Sequence, residues 1–136
     1  MKAAENVRHP VRHHEAWVGI VDDDASVRTA LARALRGHGI RTEIFDSAEE
    51  YLRRSVAGTP ECIVLDIHLG GMSGFELQDV LVSQGTELPI IFITGHDDLL
   101  SQRTRIDAAS GYLRKPFATS ALVSLLLPHL DAALLG

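Results

Sequence analysis

Short apolar runs alternate with segments of helical periodicity along most of the chain. Strands are predicted at about residues 17–21, 41–45, 61–65, 89–93 and 111–114, and helices at about 26–37, 47–57, 74–84, 97–108 and from 119 onward. Strands that alternate with helices form a parallel sheet covered by helices on both faces. Five strands and five helices therefore predict an α/β fold of the flavodoxin-like, doubly wound type, with strand order 2-1-3-4-5.

Polar residues at the predicted helix starts fit N-terminal caps. Ser47 precedes Glu50 by three positions, which is the capping-box pattern, and Asp24 or Ser26 suits the start of the first helix. Pro128 lies inside the last helix and predicts a kink or a restart there. Residues 1–15 are polar and lack periodicity, so they are predicted to form a flexible N-terminal extension to a folded domain of residues 16–136.

The composition excludes several classes of function. The 136 residues suffice for one domain, and the formal net charge of −5 argues against direct nucleic-acid binding, which needs a concentrated basic surface. No apolar run reaches the about 20 residues that span a bilayer, and the N-terminus lacks the apolar stretch of a secretory signal. Cys62 lies in a predicted buried strand and is expected to be an inert thiol. A cytoplasmic protein is the simplest interpretation.

Five polar residues stand where predicted strands end. They are Asp22, Asp23, Asp66, Thr94 and Lys115. Because ligands of open parallel sheets bind at the carboxyl ends of the strands, these residues predict one polar site. Three close carboxylates repel one another, and a hard cation such as Mg²⁺ relieves that repulsion. With an ammonium and a hydroxyl beside them, the arrangement suits phosphoryl transfer to a carboxylate.

The roles of the carboxylates follow from their positions. Asp66 stands alone at the end of the central strand and is the predicted nucleophile, whereas Asp22 and Asp23 form an adjacent pair suited to holding metal. Lys115 and Thr94 supply positive charge and a hydrogen-bond donor for the phosphoryl group.

The chain resembles the response-regulator receiver domains of two-component signalling over residues 17–135. The matching pieces are Val21-Asp22-Asp23-Asp24 with Ser26-Val27-Arg28, Ile63-Val64-Leu65-Asp66, Gly74, Phe92-Ile93-Thr94-Gly95-His96 and Lys115-Pro116-Phe117. The Ile-Thr-Gly-His and Lys-Pro-Phe segments look most like the FixJ-like branch. The resemblance implies the CheY-like form of the doubly wound fold.

The resemblance also implies a specific chemistry. Asp66 would accept a phosphoryl group from a sensor histidine kinase or a phosphotransfer protein. Asp23 and Asp66 would bind Mg²⁺ directly and Asp22 through water, and the backbone carbonyl of His68 would be a further ligand. The chain would catalyse only its own phosphorylation and slow dephosphorylation, so it is not predicted to be an enzyme.

Conformational switching is implied in the same way. Thr94 and Lys115 would bind the phosphoryl oxygens, and Tyr112 would turn inward as Thr94 moves. The Lys115–Pro116 bond matches a peptide that is usually cis in the family.

One departure from the family pattern concerns the loop after Asp66. Family members often carry Met-Pro after the acceptor, whereas this chain has Leu69-Gly70 followed by Gly71. The missing proline and the added glycine predict a looser loop next to the site.

Leucines in the last helix exceed a single apolar face, so this helix is predicted to meet a partner. The partner would be a second copy of the chain, giving a homodimer, or a downstream effector domain. Direct contact with nucleic acid or a membrane is not expected.

Three other functions remain as alternatives. A metal-dependent phosphohydrolase forming an aspartyl-phosphate is disfavoured, because such enzymes of the haloacid dehalogenase type carry a second Asp two residues after the nucleophile, where this chain has His68. A scaffold that signals without phosphate is disfavoured by the complete set of five site residues. A nucleotide-binding domain lacks support because no Gly-rich loop follows the first strand.

Overall fold

A computed structural model describes residues 16–54, 58–95 and 109–135. Its five strands are β1 (Val18–Val21), β2 (Thr42–Phe45), β3 (Cys62–Asp66), β4 (Ile90–Thr94) and β5 (Gly111–Arg114). They form one parallel sheet in the order β2-β1-β3-β4-β5. This confirms the predicted strand order, and each strand lies within one residue of its predicted position.

Four helices lie in the part of the chain that the structure describes. They are α1 (Ala25–Gly37), α2 (Ala48–Arg54), α3 (Gly74–Ser83) and α4 (Thr119–Leu135). Of the five predicted helices, the one at 97–108 falls outside the described residues, as do residues 1–15 and His96.

The helices bury the sheet on both faces. On one face, α1 and α4 pack leucines such as Leu35 and Leu126 against β1, β3 and β4. On the other face, α2 and α3 contribute Tyr51 and Leu77 to a second core. Because β1, β3 and β4 are covered on both sides, all of their residues are buried, as is expected for continuously apolar strands of a parallel sheet.

The helix caps agree only in part with the sequence prediction. The Asp24 side chain caps α1 by accepting from the backbone nitrogens of Ser26 and Val27. Ser47 accepts from the Glu50 nitrogen at 3.0 Å, but the Glu50 carboxylate accepts from Asp46 instead of Ser47, at 2.7 Å. A reciprocal capping box occurs instead at the start of α3, between Ser73 and Glu76, where none was predicted from the sequence.

The last helix does not restart at Pro128. It runs continuously from Thr119 to Leu135 with the proline inside it. Pro128 lacks the N–H that would bond the carbonyl of Ser124 four residues earlier. Ser124 is exposed, so water can satisfy that carbonyl and the helix can continue.

The outer strand β2 carries arginine side chains on its free edge. Arg36, at the end of α1, donates to the Thr42 carbonyl at 3.0 Å, and Arg54, at the end of α2, donates to the Ile44 carbonyl at 3.2 Å. The Arg54 guanidinium also lies 4.6 Å from the centre of the Phe45 ring. Two carbonyls that point away from the sheet are therefore bonded to side chains of the flanking helices.

The single cysteine is a core residue. Cys62 is fully buried in β3, and burial raises the pKa of its thiol to about 12. The prediction of a packed thiol is confirmed.

Among the residues that the structure describes, no helix is long and apolar enough to cross a membrane.

Candidate functional site

The strand register gathers the predicted site residues at one edge of the sheet. Val21 pairs with Leu65, so Asp22 and Asp66, the next residues along, end up side by side at the ends of β1 and β3. The backbone nitrogen of Lys115 donates to the Thr94 carbonyl at 2.7 Å, and this bond joins the end of β5 to the end of β4. Parallel strands thus bring together residues that are far apart in sequence.

Three carboxylates form a cluster at this edge. One oxygen from each of Asp22, Asp23 and Asp66 lies within 4.8 Å of the others. Asp22 is fully buried, Asp66 is 4% exposed, and Asp23 is exposed. The cluster therefore opens to solvent on the Asp23 side. The spatial prediction for these three residues is confirmed, whereas their roles are taken up below.

Lys115 lies between the two buried carboxylates. Its Nζ is 2.8 Å from Asp22 Oδ2 and 3.1 Å from Asp66 Oδ2. Burial lowers the pKa of Lys115, but hydrogen bonds and charge from Asp22 and Asp66 outweigh burial, so the pKa is raised and the ammonium stays charged. The lysine is the counter-ion of the acidic cluster.

The surroundings of Asp66 disfavour the ionised form of its carboxyl group. Burial and the neighbouring Asp22 raise the pKa of its carboxyl, and this outweighs the opposing effects of Lys115 and of the His68 N–H. The His68 nitrogen donates to Asp66 Oδ1 at 3.0 Å. A second cation or an incoming electrophile near Asp66 would relieve this unfavourable charge.

The remaining predicted residues lie in β4 and β5 or directly after these strands. Thr94 is fully buried at the end of β4, and a Cβ built on the adjacent Gly95 meets no atom of the described part of the chain within 4 Å. Tyr112 is half-buried and packs against the core on the α2–α3 side, beside its strand partner Phe92. The Lys115–Pro116 peptide is cis, which confirms that prediction.

Arg28 is a site residue to which the sequence analysis gave no role. Its guanidinium donates to the carbonyl of Asp22 at 2.8 Å, while Asp22 Oδ1 accepts from the Asp24 nitrogen at 2.9 Å. These two bonds fix the turn that presents Asp22 and Asp23. The available signal was spacing, because Arg28 lies in the first turn of α1 and faces the preceding loop.

Gly74 is also more important than its sequence position indicated. A Cβ at Gly74 would overlap the backbone carbonyl oxygen of Asp66 and would lie 3.0 Å from Ile67 Cα. The Gly74 nitrogen donates to the Ile67 carbonyl at 2.9 Å. The start of α3 therefore packs directly on the backbone of the predicted nucleophile, which only glycine permits.

The carboxylate cluster fits a magnesium ion. All of its donors are oxygens, the type that Mg²⁺ prefers. Asp22 Oδ2 is buried and lies 2.8 Å from the Lys115 ammonium, so this part of the site already accommodates positive charge. Asp23 is exposed and open to a hydrated ion.

Lys115→Met is expected to lower the free energy of unfolding of the metal-free protein by about 2 kcal/mol. Breaking a fully buried ion pair costs about 3–5 kcal/mol, and the effect is smaller here because the lysine side chain is 25% exposed. Mg²⁺ supplies a replacement cation, so urea unfolding should show a smaller loss with Mg²⁺ than with EDTA. Equal losses in both buffers would contradict this account, and Arg33→Met, at an exposed site on α1, is the matched control.

Comparison with known proteins agrees with this fold and site. Residues 18–127 match the response regulator receiver domain family. The chain is 36% identical to nodulation protein W of Bradyrhizobium diazoefficiens, over 85% of this chain and 51% of that protein. It is 34% identical to response regulator protein TmoT of Ectopseudomonas mendocina, over 93% of this chain and 58% of that protein. The chain thus spans about half the length of these curated relatives.

A solved structure supports the same assignment. The crystal structure of FixJ-N superposes with a TM-score of 0.76 at 29% identity, covering 86% of this chain and 94% of that one. The fold belongs to the CheY-like class of parallel α/β domains. The chain belongs to the response regulator receiver domain family and is a receiver domain of two-component response regulators. The predicted family is confirmed, including its likeness to FixJ.

Proposed function

We propose that Asp66 accepts a phosphoryl group from the phosphohistidine of a sensor histidine kinase or a phosphotransfer protein, and that Mg²⁺ is required. The observation that carries the proposal is the placement of Asp66 in one cluster with Asp22, Asp23 and Lys115. The receiver domain is proposed to span residues 16–136, preceded by an extension of residues 1–15. A cytoplasmic location stays a prediction from the sequence.

The residues of the site divide the work of transfer. A carboxylate oxygen of Asp66 attacks phosphorus, the phosphorus–nitrogen bond of the donor breaks, and the histidine nitrogen keeps the electron pair and takes a proton from water. The His68 N–H holds Asp66 Oδ1 in place during the attack. Lys115 Nζ already lies at Asp66 Oδ2 and neutralises charge on the arriving phosphoryl oxygens.

Asp22, Asp23, Asp66 and the backbone carbonyl of His68 would hold Mg²⁺. The ion would offset negative charge on the carboxylates and on the phosphoryl group. Direct ligation by Asp23 and Asp66, with Asp22 acting through water, is the arrangement that the resemblance to receiver domains implies. Asp22 Oδ1 is already bonded to the Asp24 nitrogen, and Asp22 Oδ2 faces Lys115.

The switching response would use Thr94 and Tyr112. Thr94 occupies the end of β4 beside Asp66, where its hydroxyl could bond a phosphoryl oxygen. Tyr112 is half-buried and neighbours this part of β4, so an inward turn would fill space that Thr94 leaves. Phosphorylation and its slow reversal would be the only reactions that the chain itself catalyses.

The proposal is tested by incubating the protein with acetyl phosphate and Mg²⁺ and measuring its intact mass. We expect a gain of one phosphoryl group, mapped to Asp66 by peptide sequencing after reduction with borohydride. The label should be absent with EDTA. No label under any of these conditions would overturn the proposal and favour a scaffold independent of phosphate, whereas rapid multiple turnover of phosphomonoesters would favour the phosphohydrolase.

The last helix supplies a proposed contact surface. Leu122, Leu126 and Leu130 of α4 are buried, but Leu127 remains 43% exposed. We expect this apolar side chain to contact a second copy of the chain or an output domain. Sedimentation should show a concentration-dependent dimer that Leu127→Ser weakens about tenfold, a loss comparable to removing one buried leucine from an interface. A monomer at every concentration would leave only the output domain as the partner.

A further inference from the structure

Hydrogen bonds hold the loop after Asp66, residues 67–73, at its start and near its end. The His68 nitrogen donates to the Asp66 carboxylate at the start, and the Gly74 nitrogen donates to the Ile67 carbonyl and so joins the two ends of the loop. Close to the end, the Met72 nitrogen donates to Glu49 Oε2 at 2.9 Å. Glu49 belongs to α2, so this bond ties the loop to a separate helix.

The loop backbone is shaped to receive the Glu49 carboxylate. A Cβ at Gly71 would lie 2.6 Å from Glu49 Oε2, so a side chain at this position would displace the exposed Glu49 carboxylate from the loop. Among residues 16–54, 58–95 and 109–135, a Cβ at the neighbouring Gly70 would meet no atom within 4 Å. The carboxylate therefore lies directly across the backbone at Gly71, and glycine is needed there for the approach. The same two glycines leave the loop without intrinsic rigidity.

The bond from Met72 is charge-assisted. The Met72 N–H is the main cause that lowers the pKa of Glu49, so the carboxylate is ionised at neutral pH. Hydrogen bonds to an ionised acceptor are about twice as strong as neutral ones. This bond adds a restraint from a separate helix to a loop that has no proline to stiffen it.

We propose that Glu49 is a positioning residue for phosphorylation at Asp66. By holding Met72, it restrains the loop that carries the backbone of His68, whose N–H orients the Asp66 carboxylate and whose carbonyl is the proposed Mg²⁺ ligand. Glu49 touches neither Asp66 nor the phosphoryl group. This inference rests on the proposed function, since it concerns the same site.

The first test compares Glu49→Ala and Glu49→Gln by calorimetric titration with Mg²⁺ and by the rate of labelling with acetyl phosphate. Loss of a residue that orients a metal ligand typically weakens binding about 10–100-fold. Because only a backbone ligand is affected, we expect the low end, about tenfold, for alanine. Glutamine keeps an acceptor oxygen and should stay within about threefold of wild type. Glu87→Ala, the same change of charge at the opposite edge of the sheet, should leave Mg²⁺ affinity unchanged.

The second test is a double-mutant cycle with Gly71→Ala. This substitution displaces the Glu49 carboxylate, so alone it should weaken Mg²⁺ binding about as much as Glu49→Ala. In the Glu49→Ala background it should have no further effect. Gly70→Ala is the matched control, because open space surrounds that position.

The outcomes separate this inference from the proposed function. If wild type fails to bind Mg²⁺ or to accept phosphate, the proposed function is wrong. If wild type does both, and Glu49→Ala changes only the urea midpoint, then Glu49 is merely structural and the inference is wrong. Additive effects of Glu49→Ala and Gly71→Ala would also overturn it.

Discussion

Asp66→Asn is expected to abolish labelling by acetyl phosphate and to weaken Mg²⁺ binding by about tenfold or more. The amide cannot form the acyl phosphate, and the cluster loses one of its three negative charges, where each factor of ten corresponds to about 1.4 kcal/mol. Intact mass and calorimetric titration measure the two effects. Asp46→Asn is the matched control, because Asp46 is an exposed carboxylate at the same edge of the sheet. If Asp66→Asn is labelled to the same extent as the wild type, Asp66 is not the acceptor.

The same substitution is expected to stabilise the metal-free protein. Burial and the charge of Asp22 raise the pKa of Asp66, so the folded state disfavours the ionised carboxylate compared with the unfolded chain. Asparagine keeps the shape and removes the charge. Urea unfolding in EDTA should therefore show a higher midpoint for Asp66→Asn, and a lower midpoint would contradict this reading of the site's electrostatics. A higher midpoint would mean that the charge of Asp66, which the proposed activity needs, lowers the stability of the fold.

Gly74→Ala is expected to lower the free energy of unfolding by about 3 kcal/mol, the upper part of the range for overpacked positions. The new methyl group would overlap the Asp66 carbonyl oxygen, and relief requires α3 to move away from β3. That movement would also stretch the bond from the Gly74 nitrogen to the Ile67 carbonyl. Urea unfolding measures the loss, and Mg²⁺ titration should show weaker binding because the backbone of Asp66 shifts.

Gly70→Ala provides the contrast for this prediction. It introduces the same methyl group four residues earlier, into open space, at a glycine whose φ is not positive. We expect no loss of stability, and a gain of up to about 1 kcal/mol from the reduced freedom of the unfolded chain. If both substitutions cost the same, the close approach at Gly74 is not the cause.

The sequence was sufficient to predict the sheet and the composition of the site. Apolar runs mark the five strands, and alternation with helices dictates parallel order, so Asp22 and Asp66 had to meet at one edge. The resemblance to receiver domains added the expected roles of the His68 carbonyl and of Tyr112. These features depend on patterns that repeat along the chain or on residue types whose chemistry is distinctive.

Contacts that involve main-chain groups could not be predicted in the same way. The bond from Arg28 to the Asp22 carbonyl and the bond from Met72 to Glu49 involve main-chain groups, which every residue carries. The clash that makes Gly74 necessary depends on how closely α3 approaches β3. Likewise, Glu50 bonds Asp46 and not Ser47 because the side chain reaches one residue further back than the motif assumes. Such details follow from three-dimensional packing.

The arginines on β2 have a consequence for how the molecule behaves in a crowded solution. Uncapped carbonyls along an outer strand form a template on which strands of other chains can grow into fibrils. Arg36 and Arg54 occupy two such carbonyls, and their side chains lie across the edge along which another strand would pair. Addition of a strand from another chain along the β2 edge is thereby disfavoured.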